Sequence, residues 1–213
     1  FFNIWPHLGS SNLQIYQLSI GQGDSALIIT PEQQIILIDG GPDGSVINWL
    51  NKILPFYQKQ IDLVILTHPH ADHINGLLPV FENYQVKNLL YTGVKYNYFA
   101  YDTLLQKAAI QHTRIILDTG KFDLKLGSVL LDLIYPFHSE QNQTFNNVNN
   151  SSIALRLIYG KNKIWFGGDL EKEPERKLIN TSLDLSADLM KAGHHGSRTS
   201  NTPSFLKRIH PKY

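Results

Sequence analysis

Four side chains able to bind a metal ion fall within six residues in Thr67-His68-Pro69-His70-Ala71-Asp72-His73, which also holds three of the chain's nine histidines. Imidazole and carboxylate are the usual nitrogen and oxygen ligands of zinc-like ions. The run follows an apolar stretch, 62–66, and precedes a helical pattern, 72–84. A tight loop there turns His68 and His70 one way and Asp72 and His73 another. That spacing suits two adjacent cations, one gripped by each pair. The plainer alternative, Asp72 as a helix cap, accounts for only one of the four residues.

Two other segments end apolar strands in the same manner. Gly167-Gly168-Asp169 follows Ile164-Trp165-Phe166, and Gly193-His194-His195-Gly196-Ser197 follows 187–191. Side chains at strand ends commonly meet to build a site. Asp169 suits a carboxylate bridging two cations. One of His194 and His195 would complete a metal, and the other would face substrate. Asp39 closes a strand before Gly40-Gly41 and suits a group that holds a histidine from behind; a turn aspartate is the simpler alternative. The chain contains no cysteine. Disulfides and thiolate sites are therefore excluded, and nitrogen and oxygen ligands admit Zn²⁺, Mn²⁺, Fe or Co²⁺.

The elements that must position these residues are legible in outline. Segments 13–20 and 25–30 read as strands around the turn Gly21-Gln22-Gly23-Asp24. A third strand covers 34–39, and a helix covers 45–57 with Ile47, Leu50, Ile53 and Leu54 on one face. A buried strand at 62–66 and a helix at 72–84 follow. Next come a strand at 87–91, a helix at 98–111, and strands at 114–117, 122–126 and 128–135. The aperiodic Asn/Gln-rich stretch 139–150 is a loop. Strands 153–159 and 163–166 form a hairpin around Gly160-Lys161-Asn162. A helix at 170–180, a strand at 187–191 and a short helix at 203–208 complete the chain. About ten strands and four or five helices, partly alternating, argue for an α/β fold with helices covering sheets. Strand-rich halves suggest two packed sheets, although periodicity does not single out an αββα sandwich among mixed folds.

The 213 residues, 42% apolar and 17% charged, suit an ordinary globular domain rather than a fibre or a disordered chain. Net charge is +1, but residues 186–213 carry five basic side chains and one acidic. That basic end could meet an anionic substrate, or serve as a solvated helix face. No apolar run approaches the ~18 residues of a membrane span, so no lipid insertion is expected. The start, Phe1-Phe2-Asn3-Ile4-Trp5-Pro6, has neither an initiator Met nor a signal-peptide pattern. It reads as part of a longer protein, with 1–12 a linker and 13–213 one hydrolase domain.

Taken in order, Leu37-Ile38-Asp39-Gly40-Gly41, His68-Pro69-His70-Ala71-Asp72-His73, Gly168-Asp169 and Gly193-His194-His195-Gly196-Ser197 resemble the motifs of the metallo-β-lactamase superfamily. Gly21-Gln22-Gly23-Asp24-Ser25, Asn149-Asn150-Ser151-Ser152 and Lys191-Ala192-Gly193 narrow the resemblance to the ComEC-like branch, which contains hydrolase domains of competence DNA-uptake channels and also phosphorylcholine esterases. The resemblance runs from about Leu13 to Tyr213. It implies an αββα sandwich of two mixed sheets flanked by helices, with two divalent ions, zinc or manganese, at one edge. His68, His70 and Asp169 would hold one ion. Asp72, His73, Asp169 and His195 would hold the other, leaving His194 beside the substrate phosphate. Asp39, Asn150 and Ser152 would support the ligands. Many superfamily members carry a further histidine where this chain has Asn149-Asn150-Ser151-Ser152, so one ion would keep an open position. Two departures stand out: Ser19 replaces a common aspartate, and the family's last strand would lie beyond Tyr213.

By the same resemblance, the activity is hydrolysis of phosphodiester bonds, degrading one DNA strand during uptake. Two cations about 3.5–4 Å apart share a water and lower its pKa. Arg198 is placed to grip a phosphate, and Asp24 to accept a proton. The plainer roles are a solvated arginine and a turn aspartate. Tyr96, Tyr98, Phe99 and Tyr101 could stack on bases or pack in the core. The expected partners are single-stranded DNA and the membrane channel of the same parent protein. The expected location is the periplasmic or extracytoplasmic side of the inner membrane. The alternatives are a phosphodiesterase for small or lipid-linked esters and a non-catalytic metal-stabilised DNA-binding module.

Overall fold

The apolar runs after the Gly21–Asp24 turn pair as neighbouring strands, β2 (Ala26–Ile29) and β3 (Ile35–Ile38), and every residue of both is buried. Strands buried on both faces read as continuous apolar runs rather than alternating ones. The structure, a computed structural model, describes residues 11–120 and 122–213. The expectation of a linker over 1–12 therefore falls almost wholly outside the described residues.

The chain divides into two compact units. The first takes in residues to 90 together with 97–116. It contains β1 (Gln14–Gln17), β2, β3, α1 (Ser45–Ile53), β4 (Gln60–Ile61), β5 (Leu63–Ile65), α2 (Ala71–Ile74), α3 (Leu77–Asn83), β6 (Gln85–Val86), β7 (Asn88–Tyr91), α4 (Phe99–Ile110) and β8 (Arg114–Leu117). Six strands form a mixed sheet in the order β1-β2-β3-β5-β7-β8. The β1–β2 and β2–β3 pairs are antiparallel, whereas β3–β5 and β5–β7 are parallel. The parallel pairs follow from helical crossovers, because a tight turn cannot return a chain in the same direction.

The second unit, residues 91–96 and 117–213, contains β9 (Leu124–Leu126), β10 (Val129–Tyr135), a 3₁₀ turn (Val148–Ser151), β11 (Ala154–Tyr159), β12 (Asn162–Phe166), α5 (Lys172–Ile179), β13 (Leu189–Met190), a 3₁₀ turn (Gly193–Gly196) and α6 (Pro203–Ile209). Its five-stranded sheet runs β13-β12-β11-β10-β9, antiparallel except where β12 meets β13. Trp165 anchors its core with Leu170, Leu178, Phe205 and Ile209.

Several elements differ from the sequence reading, each for a physical reason. The helix expected over 45–57 stops at Ile53, because Leu54 precedes Pro55 and turns extended. Its buried face uses Val46, Leu50 and Ile53, with Val46 in place of Ile47. The helix expected over 72–84 is two helices. The carbonyl of His73 accepts from Gly40 N at 2.7 Å, and Gly76 N donates to Gly41 O at 2.9 Å, so the backbone of the Asp39-Gly40-Gly41 turn interrupts the helical ladder. A helix expected over 170–180 begins only at Lys172, and the loop expected over 139–150 ends in the first 3₁₀ turn. Asn162, expected in a turn, opens β12. The two-residue strands β4 and β6 pair in parallel and are too short to show a period. Among the described residues no helix is long and apolar enough to cross a membrane.

The second unit also buries two acids, Asp118 at 0% and Glu140 at 7% exposure. Burial lifts the Asp118 carboxyl from 3.8 to about 6, partly offset by Gly120 N. Burial, and then the nearness of Asp118, lifts Glu140 from 4.5 to about 7. A carboxyl with a raised folded-state pKa binds more protons in the native state than in the unfolded chain. Its stabilising contribution is present at low pH and is lost as pH rises through the folded value.

Two outcomes follow for stability. Gly76→Ala should cost about 3 kcal/mol in denaturant unfolding, since a Cβ there would overlap the carbonyl oxygens of Gly40 and Asp43; an unchanged midpoint would refute this packing. Relative to the parent chain, Asp118→Asn should gain stability as pH rises from about 4 to 7, by up to about 3 kcal/mol. Melting curves across that range would read the difference.

Candidate metal centre

In the first unit the histidine run hangs from one buried carboxylate. Asp39, 1% exposed, accepts from Thr67 N at 2.8 Å through Oδ1 and from Thr67 Oγ1 at 2.7 Å through Oδ2. Its Oδ2 also lies 2.8 Å from His73 Nδ1. A carboxylate only accepts, so His73 Nδ1 carries the proton and Nε2 carries the lone pair. Thr67 gives its hydroxyl proton to Asp39 and therefore accepts from His68 Nδ1 at 3.2 Å. The same logic leaves the lone pair of His68 on Nε2. A carboxylate behind an imidazole in this way fixes its ring and tautomer for metal binding.

Asp39 itself adopts φ 56°, unusual for a residue with a Cβ. Its carbonyl accepts from Ser25 Oγ at 3.0 Å, and its own N–H reaches Ile65 O at 2.8 Å. The ring of His68 stands 4.2 Å from that of His73 and 5.8 Å from that of His70. His70 is the helix N-cap residue and Asp72 lies in the first turn, so Asp72 is not the cap. His70 Nδ1 lies 3.5 Å from Asp72 Oδ1, and a ligand atom of Asp72 lies within 4.8 Å of one of His73. Asp24, 7% exposed, donates its backbone N–H to Asp72 O at 3.2 Å. A side chain at Gly23 (φ 144°) would overlap that same carbonyl, so glycine is what lets the turn reach α2.

In the second unit Asp169 is fully buried, and its N–H donates to Ser152 Oγ at 3.1 Å. Its Oδ2 lies 3.4 Å from His195 Nε2 and 3.7 Å from His194 Nε2. His194 Nδ1 faces Glu171 Oε1 at 3.5 Å and Thr199 Oγ1 at 3.1 Å. Both histidines are left-handed, at φ 48° and 52°. Surrounding bonds hold that turn. Gly193 N donates to Asn201 Oδ1, Asn201 Nδ2 donates to Gly193 O, and Glu175, 1% exposed, accepts from the backbone of Asn201 and Thr202.

The structure thus gathers His68, His70, Asp72, His73, Asp39 and Asp24 in one unit, and Asp169, His194, His195 and Ser152 in the other. Asn150 lies in the 3₁₀ turn before Ser152, but the side chain bonded to Glu171, at 3.3 Å, is that of Asn149. Arg198 is exposed on the His195 loop. The supporting roles of Thr67, Glu171, Glu175 and Asn201 had no sequence signature beyond proximity to the motifs. The aromatic and basic residues expected to meet nucleic acid differ in exposure and in partners. Tyr101 is buried and Tyr98 donates to Asn75 Oδ1, while Phe99 is 81% exposed. In the basic end, Lys212 pairs with Asp188 and Arg208 donates to the carbonyls of Thr181 and Leu183.

Because position 195 is left-handed, His195→Gly should be more stable than His195→Ala by about 1 kcal/mol in unfolding experiments with EDTA. Equal stability of the two variants would contradict the assigned backbone.

The metallo-beta-lactamase superfamily model matches residues 19–213. ComE operon protein 3 of Bacillus subtilis (strain 168) is 31% identical over 98% of this chain and 28% of its own length. The chain therefore spans about a quarter of that relative. Competence protein ComA of Neisseria gonorrhoeae is 33% identical over 30% of this chain and 10% of its own length. Among solved structures, the metallo-beta-lactamase fold protein YhfI of Bacillus subtilis aligns with TM-score 0.55 at 16% identity, over 93% of this chain and 82% of that one. The α/β arrangement of mixed sheets flanked by helices is the fold that these comparisons share. The chain belongs to the metallo-beta-lactamase superfamily, whose members are metal-dependent hydrolases.

Proposed function

We propose that this chain is a metal-dependent phosphodiesterase that degrades one strand of DNA during uptake, and that the ligand sets of its two units serve one pair of divalent ions, zinc or manganese. The donors fit such ions: imidazole and carboxylate only, with Asp39 backing His73 at 2.8 Å. That buried carboxylate–imidazole pair is the observation that carries the reading. A lone surface histidine needs no such support, whereas a metal ligand gains both basicity and orientation from it. The superfamily match, which spans residues from both units, supports joining the two sets.

In this reading His68, His70 and Asp169 hold one ion, and Asp72, His73, Asp169 and His195 hold the other. The pair, when bound, supplies Lewis acidity and an activated water for attack on phosphorus. The chain's own residues do the rest. Asp39 keeps His73 oriented through Nδ1, and Thr67 does the same for His68. Ser152 fixes the backbone of Asp169, and Asn150 precedes it in the supporting turn. His194, with Nδ1 toward Glu171 and Thr199, presents its ring to the phosphate. Arg198 neutralises phosphate oxygens from the exposed loop. Asp24, tied to the Asp72 backbone, accepts a proton. The similarity to ComE operon protein 3 and to a competence protein supports a role in DNA uptake. In the same reading the chain works beside the membrane channel of a longer parent protein, on the extracytoplasmic side.

Titration with Mn²⁺ or Zn²⁺ should give two ions per chain, and Asp169→Ala should bind at most one. Asp39→Asn should weaken metal affinity by about 10–100-fold. Single-stranded DNA should be cut with Mn²⁺ or Zn²⁺, not in EDTA, and not by an Asp72→Ala, His73→Ala double variant. Turnover of p-nitrophenyl phosphorylcholine without cleavage of DNA or bis-p-nitrophenyl phosphate would replace the DNA substrate with a small ester. Two bound ions with no turnover at all would leave a metal-stabilised binding module.

A further inference from the structure

Beyond β10 the second unit forms a cavity of about 220 Å³ that none of the metal ligands lines. Tyr135 and Glu140 form its buried floor, Phe137 a half-buried wall, and His138, Gln143 and Lys177 its exposed rim. It is smaller than the ~300–1,000 Å³ of sites that enclose a drug-sized molecule, so it admits a single ring system. Glu140 is 7% exposed, and among the described residues its buried Oε2 meets no hydrogen-bond partner. A buried polar atom left unbonded costs of order 1–3 kcal/mol, and here it belongs to a residue that lines an open cavity.

The chemistry of the lining narrows the ligand. A metal ion is disfavoured, because Lys177 places positive charge at the rim and only one carboxylate lines the cavity. Burial and the neighbouring Asp118 carry Glu140 to about 7, so near neutrality a large share of it is protonated. A protonated carboxyl offers one donor and one acceptor side by side. Each nucleobase presents an edge with a matching acceptor and donor, and a π-face suited to an aromatic wall. The rings of Tyr135 and Phe137 stand edge to face at 5.2 Å, which fixes the wall. Lys177 pairs with Glu173 at 3.0 Å, and half its side chain is exposed. Surface pairs of that kind are worth little, so it can turn to a phosphate.

We propose that this cavity is a subsite for one unpaired nucleobase of the substrate strand, with Glu140 bonding the base edge, Phe137 packing on its face and Lys177 meeting the adjacent phosphate. The inference rests on the DNA reading above. It makes base binding tolerant of sequence, since every base offers the required edge and face.

The test is binding of deoxynucleoside 5′-monophosphates to the 213-residue chain in EDTA, by calorimetry and by NMR shifts over 135–143. All four nucleotides should bind within a few-fold of one another, and 2-deoxyribose 5-phosphate at least about tenfold more weakly. Glu140→Gln, which keeps a donor beside an acceptor, should retain the preference. Glu140→Ala should abolish it. Should Glu140→Ala fail to fold, Lys177→Ala on the surface substitutes: it should weaken nucleotides severalfold and leave nucleosides unchanged. Sugar phosphate binding as tightly as nucleotides, or a preference that survives Glu140→Ala, would overturn the subsite. Because these measurements need no metal and no turnover, a chain that binds nucleotides but cuts no DNA loses only the nuclease reading. A chain that cuts DNA without binding them loses only the subsite.

Discussion

A charge sealed from water is costly unless its lone pairs are met by donors, and the first unit is arranged around one such charge. Asp39 receives the Thr67 backbone, the Thr67 hydroxyl and the His73 ring. Those three bonds fix two imidazoles at once, His73 directly and His68 through the threonine. They also dictate the surrounding backbone. To bring Asp39 to His73, the Asp39-Gly40-Gly41 turn must lie against the junction of α2 and α3, where Gly40 and Gly76 allow main chain to touch main chain. The broken helix is therefore a consequence of the carboxylate's position.

The second unit solves the same problem with different parts. Glu175, buried on α5, accepts from two successive backbone N–H groups, and Asn201 closes the turn by bonding both N–H and C=O of Gly193. Within that clamp His194 and His195 occupy left-handed backbone, at about 1–2 kcal/mol each. Such strain persists only where neighbours over-determine it. Here it lets two consecutive side chains bring Nε2 to within 3.7 Å of one carboxylate oxygen. Asp118 and Glu140 form a contrast, since among the described residues each keeps a buried carboxyl oxygen without a bond. A carboxyl in that state favours the proton.

Much of the candidate site was legible because ligand chemistry is local. The density of imidazole and carboxylate in His68–His73, the glycines around Asp39 and Asp169, and the pair His194-His195 mark strand ends by residue type alone. Strand positions were legible for the same reason: a run such as Ile35–Ile38 is apolar throughout because both its faces are covered.

What the residues could not reveal depended on partners distant in sequence. The split after Ile74 is enforced by the backbone of a turn some thirty-five residues earlier, and no helix propensity encodes it. Val46 rather than Ile47 faces the core because packing selects the face. The roles of Thr67, Glu175 and Asn201 exist only through bonds to groups brought near by folding. Residue type and apolar period, both properties of the chain, mark which side chains can bind a cation and where strands end. Tertiary structure decided tautomer, backbone strain and which carboxylates ionise, because each depends on burial and on hydrogen bonds across the fold.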